Sequence, residues 1–136
     1  MREFSTARPL RSAANMTPFH AAVWIDHKVA KIFHVEDERF EESLIHAPHS
    51  QVHRDTGAAE QYYHQVSEAL SKAGEIIVLG PGSAKLELVK HVHKHHHLLV
   101  DKIIGVETVD HPTDKQLVAF VRKYFHEEDR MRGLVP

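Results

Sequence analysis

Residues 75–85 read EIIVLGPGSAK, an apolar run that stops at Gly80, Pro81 and Gly82 and gives way to a helical period. A short apolar run flanked by turn residues suits a strand covered on both faces, and such strands belong to sheets with helices on either side. Glycine and proline end the strand. Ser83 then stands where a helix N-cap is wanted, and Ala84, Leu88, Val89 and Val92 form an apolar stripe reaching about His95. Glu87, Lys90 and Lys94 fall on the opposite face.

The remaining pattern fits around this strand and helix. Ala21 to Ile25 is apolar, Asp26, His27 and Lys28 interrupt, and Val29 to Val35 alternates, which predicts two antiparallel strands. A third extended piece spans about Glu42 to His46, followed by a polar loop from Pro48 to Asp55. Ala59, Tyr62, Tyr63, Val66, Ala69, Leu70 and Ala73 recur at helical spacing, with Gly74 as the stop. Lys102 to Val109 reads as another buried strand. Thr113 and Gln116 match a capping box, opening a last helix with Leu117, Phe120, Val121 and Tyr124 inward. Trp24 and at least one of Tyr62 and Tyr63 belong to the core.

The expected fold class is therefore α/β. An N-terminal antiparallel meander is followed by helix, strand, helix, strand and helix, which gives a mixed sheet with helices on both faces. Residues 1–18, with Arg2, Arg8 and Arg11 against Glu3, read as a flexible leader, 19–127 as a single domain and 128–136 as a C-terminal tail.

Composition narrows the function classes. Hydrophobic residues are 42% and charged residues 26% of 136, the balance of a folded domain. Cysteine is absent, which excludes disulfides and thiolate chemistry and fits a reducing, cytoplasmic setting. No apolar run is long enough to span a bilayer, so no membrane partner is expected. A net charge of -2 argues against a generally cationic nucleic-acid coat, although fourteen histidines leave the sign of any one face open.

Three places offer chemistry. Gly80, Pro81, Gly82, Ser83, Ala84 and Lys85 lie between a central strand and a helix start, where amides, helix dipole and Lys85 could meet an anion. The spacing matches neither the phosphate-loop nor the dinucleotide pattern. A plain tight turn and a loop touching phosphate or a partner are both compatible with it. His91, His93, His95, His96 and His97 pair at four-residue spacing, yet no third ligand is evident nearby. A solvated or capping cluster is the expectation and no metal is assigned. Asp110 and His111 place an acid beside an imidazole, but turn and cap chemistry accounts for Pro112, Thr113 and Asp114.

The stretches IIVLGPGSAK over Ile76–Lys85 and ETVDHPTD over Glu107–Asp114, with their flanking elements, are similar to a proteobacterial family labelled translational machinery protein. That family looks like a stand-alone relative of the third domain of archaeal and eukaryotic class 1 release factors and of Pelota. The likeness covers about Phe19 to Phe125. It implies a three-layer α/β/α sandwich and a link to ribosomes, through RNA or a translation-factor protein. Release factors act through a Gly-Gly-Gln loop in another domain; this sequence contains none, so the resemblance implies no peptide release.

The leading expectation is a non-catalytic, translation-associated domain without cofactor. It would bind the ribosome, RNA or a translation-factor partner through Gly80, Pro81, Gly82, Ser83, Lys85, Lys90, Lys94, His111 and Thr113. The alternative is a small phosphate- or nucleotide-binding enzyme using the Gly80–Lys85 loop with His111 as base. A homo-oligomer pairing through edge strands is a third possibility.

Overall fold

The computed structural model describes residues 20–36, 39–48, 56–131 and 133. The leader expected over 1–18 and most of the loop expected after Pro48 lie outside the described residues. In chain order the elements are β1 (His20–Ile25), β2 (Val29–Glu36), β3 (Arg39–His46), α1 (Thr56–Ala69), β4 (Glu75–Gly80), α2 (Ala84–His95), α3 (His97–Val100), β5 (Ile103–Thr108) and α4 (Asp114–Met131).

The sheet has five strands in the order β3-β2-β1-β4-β5. β1 pairs antiparallel with β2 and β2 with β3, whereas β4 runs parallel to both β1 and β5. This is the expected mixed sheet, with the meander on one side and the parallel strands on the other.

Side-chain alternation produces the layers. Ala21, Val23 and Ile25 of β1 and Ile76 and Val78 of β4 join one core with Tyr62, Tyr63, Val66, Leu88 and Val92 from α1 and α2. The intervening Ala22, Trp24, Ile77 and Leu79 join a second core with Leu117, Val118, Val121 and Phe125 of α4. Each fully buried aliphatic side chain contributes about 1.5–3 kcal/mol, so two apolar faces on one sheet hold both helical layers in place. The result is the three-layer α/β/α sandwich.

Several boundaries differ from the sequence reading. β3 begins at Arg39 rather than about Glu42, because its pairing with β2 extends to Glu36↔Arg39 although most of its side chains are exposed. Helix α1 ends at Ala69; Leu70 to Ala73 continue as tight turns, with Ala73 N–H donating to the Leu70 carbonyl at 3.1 Å. Ala59, placed on the apolar face by its spacing, is exposed. Phe120 is 38% exposed rather than inward, because Leu117, Val118, Val121 and Phe125 already fill the α4 contact. The one-turn α3 has no counterpart in the sequence pattern; it follows a break at His96, whose φ of -138° leaves the helical region. Helix α4 runs on to Met131.

Candidate functional site

The carboxyl ends of β1, β4 and β5 meet at one corner of the sheet, beside the starts of α2 and α4. Gly80 closes β4 there. A Cβ on Gly80 would collide with the Ile25 carbonyl oxygen, so only glycine lets β1 and β4 lie this close. The Gly80 carbonyl accepts from Val109 N–H at 3.0 Å, which carries the pairing with β5 into the following turn. Gly82 stands at the tip, exposed, with open space where a Cβ would project.

Lys85 is turned inward. It is 7% exposed, and its Nζ donates to the Gly82 carbonyl at 2.6 Å. The ammonium thus braces the loop from beneath and does not project toward a ligand. Ser83 occupies the N-cap position, but with φ of -84° and ψ of -12° its side chain makes no capping bond. Its hydroxyl instead lies 3.3 Å from Glu87 Oε2.

Glu87 gathers three partners, the expected solvent-facing residue of α2 having become a hub. Tyr63 donates to Oε1 at 2.7 Å, and His27 Nε2 lies 3.3 Å from Oε2, the same oxygen that faces Ser83. Burial alone would raise this carboxyl; the hydrogen bonds from Tyr63, His27 and Ser83, with the charge of His27, outweigh it and hold the group below its ordinary value. Burial, followed by the bond to Glu87, pushes the Tyr63 phenol far up. Tyr62 hydroxyl donates to the Asp26 carbonyl at 2.9 Å, and both tyrosines are buried, as expected.

Asp26 organises the turn between β1 and β2, its Oδ1 accepting from Lys28 and Val29 N–H at 2.8 Å each. Its other oxygen lies 3.9 Å from His111 Nε2, while Asp110 Oδ1 lies 2.9 Å from His111 Nδ1. Trp24 supports this from below: its Nε1 donates to the Val109 and Asp110 carbonyls at 3.1 and 2.8 Å, and its ring meets His111 edge-on. Lys31 lies over the same indole and pairs with Asp114 at 2.9 Å. Thr113 and Gln116 form the expected capping box, with bonds of 3.0 and 3.1 Å.

The structure thus brings Gly80, Pro81, Gly82, Ser83, Lys85, His111 and Thr113 to the corner region, and leaves Lys90 and Lys94 exposed along α2. Sequence reading missed Asp26, His27 and Glu87, which reach the corner from separate elements. Asp26, Glu87 and Asp110 lie with His27 and His111 on this face, while Asp114 is paired with Lys31. Among the described residues, His111 contacts Asp110, Asp26 and the Trp24 ring, and none of these is a hydroxyl or thiol nucleophile.

No family model and no curated protein matches the sequence. Solved structures do resemble the fold. The chain is similar to Thermoplasma acidophilum Pelota, with a TM-score of 0.60 and 20% identity over 77% of this chain and 32% of that one. It is similar to Saccharomyces cerevisiae Dom34, described as a translation termination-like factor involved in RNA quality control pathways and interacting with Hbs1, with a TM-score of 0.55 and 16% identity over 81% and 34%. The archaeal translation termination factor aRF1 aligns with a TM-score of 0.50 and 17% identity over 68% and 30%. The chain spans about a third of the length of these proteins, and the likeness defines a release-factor and Pelota domain fold. Among the described residues, no helix is long and apolar enough to cross a membrane.

Proposed function

We propose that this chain is a non-catalytic binding domain of the translation apparatus that docks a protein partner through the corner formed by Gly82, His27, Glu87, Asp110 and His111. The observation that carries this reading is the inward turn of Lys85. With its ammonium bonded to the Gly82 carbonyl, the loop presents a glycine tip next to Ser83, whose partner Glu87 also meets His27, and the turn carrying Asp110 and His111 is joined to Gly80 through Val109. Such a face suits a complementary protein surface better than a chain of phosphates, which carboxylates repel. Similarity to Dom34, which interacts with Hbs1, supports a protein partner of that kind. The narrower assignment, to a proteobacterial family of stand-alone relatives of release-factor domain 3, rests on the IIVLGPGSAK and ETVDHPTD stretches.

RNA is the second reading, favoured by Lys90 and Lys94 exposed one helical turn apart on α2. Salt dependence separates the two. Sedimentation of cell extract through sucrose gradients at rising salt should show association with translation particles that weakens gradually. A loss with a steep linear dependence of log affinity on log salt would indicate phosphate contacts and overturn the protein-docking reading.

A further inference from the structure

Histidine accounts for five of the seven residues from His91 to His97, and the fold adds another from a different element. His64 on α1, His91 on α2 and His96 at the α2–α3 break each bring a ring nitrogen within 4.8 Å of the other two. We propose that these three imidazoles form a binding site for a divalent transition-metal ion of the zinc class, stapling α1 to the end of α2.

The geometry is close to what such an ion needs. Zinc–nitrogen bonds of 2.0–2.1 Å in a tetrahedron place neighbouring ligand nitrogens about 3.3 Å apart. His64 Nδ1 and His96 Nε2 are already 3.2 Å apart, in a hydrogen bond whose donor is set by the tautomer. The third ligand closes by a shift of its ring.

His91 supplies an independent indication. It is 8% exposed, and its Nε2 is buried with no hydrogen-bond partner among the described residues. A buried ring nitrogen without a partner is unfavourable, and a coordinated ion would supply the missing partner. Burial first, then the neighbouring histidines, lowers the pKa values of His91 and His96 and favours the neutral imidazole that binds metal. Glu60 and Glu68 oppose this shift at His91 and His96 respectively, and Glu68 lies 3.9 Å from His64.

The ligand type selects the ion class. Three neutral nitrogens without sulfur suit zinc, copper, nickel or cobalt and disfavour magnesium and calcium, which take oxygen ligands. Three protein ligands also leave a fourth position for water or another donor. The break at His96 has a use in this scheme, since it turns that imidazole back toward α1.

Titration of the purified chain with zinc chloride, followed by calorimetry, and with cobalt chloride, followed by visible absorption, tests the site. One equivalent of zinc is expected to bind, and cobalt should give the intense bands of a low-coordinate nitrogen site. His64→Ala and His96→Ala, each at a position not fully buried, should weaken zinc binding about 100-fold or more, at the upper end of what even outer-sphere partners cost. His93→Ala and His97→Ala should leave affinity unchanged. Equal losses in all four variants would reveal adventitious binding along the histidine run and overturn the proposal. So would absence of one-equivalent binding, or full affinity in His64→Ala. Circular dichroism of each variant separates ligand loss from unfolding, and the pair His64 and His96 keeps the test open should one variant fail to fold.

Discussion

Lys85 Nζ donates to the Gly82 carbonyl from beneath the loop that joins β4 to α2, so a lysine placed by sequence where it could greet a ligand instead holds the loop's shape. Because its stem is buried as well, Lys85→Met should preserve most packing while deleting a charge-assisted bond, at a cost of about 1.5–3 kcal/mol. Urea unfolding checks this. Unchanged stability would mean that the ammonium spends its time in solvent.

The two loop glycines should respond differently. Gly80→Ala drives a Cβ into the Ile25 carbonyl and is expected to destabilise by about 1–3 kcal/mol through forced separation of β1 and β4. Gly82→Ala meets open space and should stay within about 0.5 kcal/mol of the parent. Thermal unfolding of both variants tests the contrast, and similar losses would contradict the close strand approach.

Trp24→Phe keeps an aromatic ring in the α4-facing core but removes the donor that serves two carbonyls. The expected loss is about 1–3 kcal/mol. Amide hydrogen exchange should quicken between Val109 and His111, which the indole ties to β1. Exchange unaltered in that turn would show that the indole bonds do not anchor it.

Acid should act through Glu87. A carboxyl held below its ordinary value in the folded state contributes stability above that ordinary value, and the contribution disappears as pH falls through the lowered one. Urea midpoints measured from near neutral to strongly acid pH should therefore fall further for the parent than for Glu87→Gln. Since Glu87 is partly exposed, the difference will be modest. Parallel profiles would indicate that Tyr63, His27 and Ser83 do not stabilise the carboxylate.

Much of the fold was legible because local signals agreed with one another. The unbroken EIIVL run, the alternation after Val29 and the Thr113–Gln116 box each name an element from neighbouring residues alone, and each is present in the structure. The corner was only half legible. Gly80 and His111 could be placed by their position between strand and helix, but Glu87 looked like an ordinary solvent-facing residue of α2. Its partners Tyr63 and His27 are 24 and 60 residues away, a separation no local period records. Lys85 misled for the same reason: helical spacing places a side chain on a face but does not say whether it turns back to the carbonyl three residues earlier. The histidine run was visible as a run, but the cluster joins its His91 and His96, not a pair at four-residue spacing, to His64 of α1, and that required the packing of two helices to appear.

Docking to the translation apparatus, as proposed, would run through the Gly82 corner. Gly82→Glu adds bulk and charge at the tip, where a Cβ has open space, and should leave the unfolding midpoint near that of the parent. The most direct measurement is the fraction of each protein that co-sediments with translation particles at low salt. Substantial co-sedimentation is expected for the parent and a loss of tenfold or more for Gly82→Glu. Equal co-sedimentation of the two, or none for the parent, would contradict docking through this corner.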